Sequence, residues 1–556
     1  MTTKPPSSSS PIHTLPTELL REIFMVCCEE YNILVIHIGG LDKRIGPFGT
    51  PVLALSEVSS QWRELALSLG DLWSHIRYLI GQPSGIEKDD EADSQMCYEA
   101  TKHYLDRAGT SPLTLSFHDN MDLAGTSRGA EFGLALDALC RRAPQWAVVE
   151  FEVEEIFFEQ NAHTLQLLRG NLHNLHTFIS HEGHETSILR VTELLGPFAS
   201  LREVTLERLS EPPPRDLLPT ILPWEQLDRL TLTDCSTRVP DIVFKIISLC
   251  SNLRHLTFSV SECDSKPLAA RAQAMSWSNV HTLTITENAH ESLIFQDFLQ
   301  WVTLPVLTCL EFQLCGWYYM HGARPKSKLL SEEQEARLHN FIRHSGASIA
   351  SLTLHNFHIT NDQLVDLLQL LPSVTDLFIA DGLSLGFTWY DPSSKRMDTV
   401  SPSLLFDRLQ AVDPASDDEG THPRSGPFLT RLTDLTIGAN GTALAHDALA
   451  KAVHSRWIPD PETSARLGVD SLRSVEVFFI DTEPTLRIPE SLLSLQDLRC
   501  AGLRVVLPDL NLDVVVVYYT YAGSHPNSKL PSPFPFLAHV VQFYSVRNIA
   551  IVCAWL

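Results

Sequence analysis

Leu253-Arg-His-Leu256-Thr-Phe258, Val280-His-Thr-Leu283-Thr-Ile285 and Leu307-Thr-Cys-Leu310-Glu-Phe312 repeat one pattern: apolar, two residues, apolar, one residue, apolar. Working outward, the same pattern stands at Val148-Phe151-Val153, Leu201-Val204-Leu206 and Leu227-Leu230-Leu232, with a degenerate copy at Leu172-Leu175. Toward the C-terminus it returns at Ile349-Leu352-Leu354, Val374-Leu377-Ile379, Leu432-Leu435-Ile437 and Leu472-Val475-Val477, and more weakly at Leu495-Leu498-Cys500. Alternating apolar positions side by side read as a strand with one buried face.

The first seven copies start 24, 29, 26, 26, 27 and 27 residues apart. That is the period of a leucine-rich repeat, in which each strand needs its neighbours to complete a shared core. The segments between strands read as helices. Asn361 to Leu371 has an Asn/Asp cap, places Leu364, Leu367, Leu368 and Leu371 on one face and ends at Pro372; Asp241 to Cys250 behaves alike. Position 9 of a leucine-rich repeat is often Asn or Cys. Here it is Cys235, Asn288, Cys315 and Asn440 in four of twelve copies, so the solenoid is expected to be irregular. Longer steps coincide with insertions at about 316–335 and 382–428. The expected fold is α/β: a curved parallel sheet with helices on its outer face over 96–503, and a cap or tail over 504–556.

Length and charge limit the rest. The 556 residues suit three or four domains or one repeat array, and 44% apolar with 20% charged residues excludes a largely disordered or collagenous chain. A net charge of −25 is repelled by phosphate backbones and anionic lipid, so neither a nucleic-acid nor a membrane partner is expected. The eleven cysteines include no CxxC pair and read as reduced thiols of the cytosol or nucleus. Residues 1–11, rich in Pro and Ser, read as a disordered tail without the apolar core of a secretory signal. The apolar run Val514 to Tyr521 has strand length, and Gln542, Arg547 and Asn548 interrupt the run Val540 to Leu556.

Before the repeats, residues 12–80 read as a small helical unit with an insertion at about 31–50. Leu19, Leu20, Ile23, Phe24 and Cys27 recur at helical spacing after Leu15-Pro16. A second amphipathic run follows at Leu55, Val58, Trp62 and Leu65, and Leu72-Trp73 closes the unit. The acidic stretch 81–95 reads as a linker. A helix over Met96 to Ala108 then leads into a strand at Leu113-Leu115-Phe117.

Leu15-Pro16-x-Glu18-Leu19-Leu20-x-x-Ile23-Phe24, then Val58-x-x-x-Trp62-Arg63-x-x-Ala66, then Leu72-Trp73, resemble an F-box, specifically that of the F-box-like proteins abundant in mushroom-forming fungi. Tyr104 to Leu115 and Arg141-Arg-Ala-Pro-Gln-Trp146 are similar to the same family. The segment 31–50 is longer than that family's usual link. The resemblance implies a non-enzymatic adaptor that docks a Skp-family subunit of a cullin–RING ubiquitin ligase and holds a protein substrate on its repeats. It implies docking through Leu15, Pro16, Leu19, Leu20, Ile23, Phe24, Val58, Trp62 and Trp73. The residues agree with this on physical grounds, because so small a unit cannot enclose that much apolar surface. No catalytic residue, cofactor or metal ligand is expected.

Other motifs carry less. Gly125-Thr-Ser-Arg-Gly129 fits the nucleophile-elbow expression, but the residues before it have loop composition instead of a buried strand. His181-Glu-Gly-His184 lacks zinc-helix spacing. Ser416-Asp-Asp-Glu419 reads as a solvated acidic insertion, and the sequon Asn440-Gly-Thr442 has no bearing without secretion. The alternative readings are a repeat scaffold with a vestigial F-box and, third, a serine hydrolase using Ser127.

Overall fold

The computed structural model describes residues 15–29, 34–38, 51–80, 90–119, 129–153, 155–181, 192, 195–196, 198–207, 218–235, 240–260, 275–287, 298–314, 330–345, 348–355, 357, 359–380, 402–411, 427–439, 444–479, 488–507, 519–521 and 538–540. Outside them lie the 1–11 tail, most of 31–50, most of the acidic linker, much of both expected insertions, Ser127, His184, Asn288, Cys315, Ser416 to Glu419 and Asn440. The chain forms two compact units.

The first unit opens with three helices, α1 (Thr17–Glu29), α2 (Pro51–Val58) and α3 (Ser60–Ser68). Strands β1 (Leu34–Ile38), β2 (His75–Ile80), β3 (Leu113–Asp119), β4 (Trp146–Glu152), β5 (Thr177–His181) and β6 (Glu203–Glu207) follow one another in a sheet in chain order. The first five pair in parallel. Helices α4 (Asp90–Ala108), α5 (Gly129–Cys140) and α6 (Glu155–Leu165) connect them. Two short strands, Tyr519–Tyr521 and Ala538–Val540, pair antiparallel, so part of the expected C-terminal segment is a hairpin-like ladder.

Among the described residues the second unit carries nine strands of the main sheet, again in chain order and all parallel: β7 (Arg229–Cys235), β8 (His255–Val260), β9 (Thr282–Glu287), β10 (Cys309–Leu314), β11 (Ser351–His355), β12 (Asp376–Ala380), β13 (Asp434–Ala439), β14 (Ser474–Phe479) and β15 (Arg504–Val506); the short strands Met275–Ser276 and Val302–Thr303 pair separately. Parallel neighbours need a crossover, and helices such as Pro240–Leu249, Glu332–His344 and Asn361–Gln369 supply it. This is the α/β arrangement of a leucine-rich-repeat-like solenoid.

The repeat pattern explains the core. In the nine copies starting at 201, 227, 253, 280, 307, 349, 374, 432 and 472, all three apolar positions are buried. The residue after the first apolar position also builds a backbone ladder. Its N–H donates to the carbonyl of the same position one repeat earlier, at 2.7–3.0 Å, through Asp228, Arg254, His281, Thr308, Ala350, Thr375, Thr433, Arg473 and Arg504. Side chains reinforce the stacking. Asn252 donates to the Glu225 carbonyl at 2.7 Å and Asn279 to that of Ser251 at 2.8 Å.

Several expectations are corrected. The first copy is Trp146-Val149-Phe151, all buried, while Val148 lies on the opposite face. The degenerate copy is Leu175-Phe178-Ser180, with serine in a leucine slot. Leu495-Leu498-Cys500 is a helix, Leu495–Cys500, with Cys500 exposed. Two leucines three apart suit a helix as well as this repeat. The segment 12–80 is not all-helical, because β1 and β2 lie within it and Trp73-Ile76-Tyr78 is itself a buried copy of the pattern. Helix α4 begins at Asp90, inside the stretch expected to be a linker. The cap of Asn361–Gln369 is Thr360, whose side chain accepts from Gln363 N–H while the Gln363 side chain accepts from Thr360 N–H. The insertions also contribute structure: Glu332–His344 has a capping box from Ser331 and Gln334, and Ser403–Leu409 buries Leu405, Phe406 and Leu409.

Candidate functional site

Helix α1 has two apolar stripes. Leu20, Phe24 and Cys28 recur every four residues and are buried. Leu19, Ile23 and Val26 recur at four and three, about 100° round the helix from the first stripe. Leu19 is 52% exposed and Val26 38%, while Ile23 is half-buried. Pro16 is exposed just before the helix, and its carbonyl accepts the Leu20 N–H at 3.1 Å. Leu15 is half-buried. At the end of α2, Val58 is 48% exposed.

The inner stripe is fixed by aromatic packing. The Phe24 ring meets Trp62 edge-on at 4.9 Å between centroids. Ser59 caps α3, its hydroxyl accepting the Trp62 N–H at 3.1 Å. Trp73 is fully buried; its indole N–H donates to the Ala66 carbonyl at 2.9 Å, and its ring lies 5.0 Å from Tyr104 of α4. The nine expected docking residues therefore divide. Leu20, Phe24, Trp62 and Trp73 belong to the core, Pro16, Leu19 and Val58 face outward, and Leu15 and Ile23 lie between. Val26, absent from the expected set, joins the outward stripe, and its i+7 spacing from Leu19 was the available signal.

A second cluster was not anticipated. On the strand positions opposite the helices, Glu150 of β4 accepts from His181 of β5 at 2.8 Å and from the Ser116 hydroxyl of β3 at 2.6 Å. His118 bonds Glu152 through Nδ1 at 2.6 Å, and its Nε2 lies 3.6 Å from Glu150. Arg77 of β2 is 4.0 Å from the same carboxylate. Burial alone would lower the His118 pKa, but Glu150 and Glu152 outweigh it and the pKa is raised. Burial would likewise raise Glu150, and the two histidines hold it far below the usual carboxylate range instead. Alternate positions on β3 and β4 place these groups together, but pairing of the strands could not be read from either segment alone. Among the described residues no group of three such side chains is arranged to hold a metal ion.

Buried thiols are chemically quiet: burial pushes Cys28, Cys140 and Cys250 up to about 12. No helix among the described residues is long and apolar enough to cross a membrane. No family model matches the chain, and no match is found among curated proteins.

Proposed function

We propose that this chain is a non-enzymatic recognition adaptor: the outward faces of α1 and α2 dock a Skp-family subunit of a cullin–RING ubiquitin ligase, and the repeat body holds a protein substrate. The observation that carries this reading is the division of α1. Leu20, Phe24 and Cys28 are packed inside the unit, yet Leu19 and Val26 of the same helix, and Val58 at the end of α2, stay exposed. An apolar stripe of this kind, rimmed by Glu18, Arg21 and Glu22, suits a helix-packed interface. The chemistry required of the chain is proximity, which raises the effective concentration of a substrate lysine near a charged ubiquitin carrier.

A second reading, a repeat scaffold with no adaptor partner, draws on the pairing of β1 with β2 and β2 with β3, which makes the N-terminal segment part of the sheet. Co-purification of the full chain with a Skp-type subunit separates the two. Leu19→Asp combined with Val58→Asp alters only outward residues. Capture by the wild type and its loss in the double variant, with unfolding temperature unchanged, is the expected result; no capture by the wild type supports the scaffold, and equal capture by both chains overturns the docking face.

A further inference from the structure

We propose that the sheet face of the second unit opposite its helices binds an extended, arginine-bearing segment of another protein. Strand register places Glu311, Thr353, Phe378, Thr436 and Glu476 in one row across β10 to β14. At roughly 4.8 Å per strand, Glu311 and Glu476 stand about 10 Å to either side of Phe378. In the row two residues earlier, Asp376 and Asp434 are directly paired. Leu377, Ile379, Leu435, Ile437, Val475 and Val477 are buried on the helix side, so the alternate positions form the opposite face.

Three rings make an aromatic shelf on that face. His355 stacks on Phe378 at 6.2 Å between centroids, and Phe378 lies 6.0 Å from Phe478. Gly438 is what lets Phe478 lie there: a Cβ at that position would sit 2.4 Å from the ring. All three aromatic side chains are half-buried, so they remain in contact with solvent.

Charge decides the occupant. Strands β8 to β14 contain no lysine or arginine. No ion pair among the described residues joins Glu311, Asp376, Asp434 or Glu476 to a cation. Burial, and then the neighbouring Asp434, raise the Asp376 carboxyl above its ordinary value against a hydrogen bond from Ser351. The corresponding face of the first unit differs, since Arg77, His118 and His181 already answer Glu150 and Glu152 there. A guanidinium laid on the Phe378 shelf stacks on the ring with Asp376 and Asp434 in the neighbouring row, whereas an ammonium has no plane to stack and an apolar side chain has no charge for the carboxylates.

In the adaptor reading this face is where a substrate segment is held, so the inference deepens that reading. The assay contains no adaptor subunit, so its failure and the failure of adaptor capture are separate results. The probe is a fluorescein-labelled alternating arginine–glycine peptide of about ten residues, which at roughly 3.3 Å per residue spans the row. Its anisotropy is measured against the full chain, beside a glutamate–glycine peptide of equal length. Glu311→Gln with Glu476→Gln should weaken arginine-peptide binding about tenfold or more, because both carboxylates are lost from one site. Phe378→Thr, which matches the threonines on both neighbouring strands, should also weaken it, and Glu332→Gln with Glu333→Gln, the same charge change on an outer helix, should not. Failure of the arginine peptide to bind, equal binding of the glutamate peptide, or equal weakening by the outer-helix pair overturns the proposal.

Discussion

Leu19 and Leu20 are one helical step apart, and that step of about 100° sends one side chain into solvent and the other into the core. The same residue type at adjacent positions therefore serves two purposes, and substitution separates them. Leu20→Ala leaves a cavity among packed groups and should cost about 2–5 kcal/mol in urea unfolding. Leu19→Asp alters a side chain that is 52% exposed and should cost far less, within about 0.5 kcal/mol of the wild type. Equal losses from the two substitutions would show that the outward stripe is part of the core. The F-box-like pattern located both leucines but could not assign their directions, because direction depends on α3 and Trp62, which pack on one side of α1 only.

Among the strands, the polar network of the first unit makes a pH-dependent contribution whose sign follows from the shifts. His118 has a raised pKa, so its contribution is complete below its ordinary value of 6.5 and is lost as pH rises through the folded value. Glu150 has a lowered pKa, so its contribution is present above its ordinary 4.5 and is lost as pH falls. The network is therefore strongest between these two values. The difference in unfolding temperature between wild type and His118→Gln should be largest between pH 4.5 and 6.5 and shrink as the pH rises above that window. A difference that grows with pH would contradict the assignment. None of this was legible segment by segment. The strands were readable where leucine, valine or isoleucine filled the pattern and were lost where Trp73, Tyr78 or Ser180 took those slots. Trp146-Val149-Phe151 was misread by two residues because Val148 and Val149 are equally apolar, and only burial tells them apart.

Taken together, the repeats are stabilised through their neighbours, since each pattern completes its core and its backbone ladder against the next. Leu283 is fully buried in the middle of the second unit. Leu283→Ala should raise amide exchange in β8, β9 and β10 together, and by more than in β2 to β4 of the first unit. A rise confined to β9, or one spread equally through both units, would contradict nearest-neighbour coupling. The period of 24 to 29 residues made this architecture readable because a parallel ladder needs leucines in the same places each time. The docking face and the acidic aromatic shelf were not readable in that way, because each depends on which residues stay outside after the core has formed.

The proposed role of the chain rests on α1 and α2 meeting another protein. The decisive measurement is amide hydrogen exchange of the full chain with and without a purified Skp-type subunit. Slowed exchange in Thr17–Glu29 and Pro51–Val58 on complex formation, absent from Leu19→Asp with Val58→Asp, is the expected outcome. No complex with the wild-type chain, or protection that leaves both helices unchanged, would contradict it.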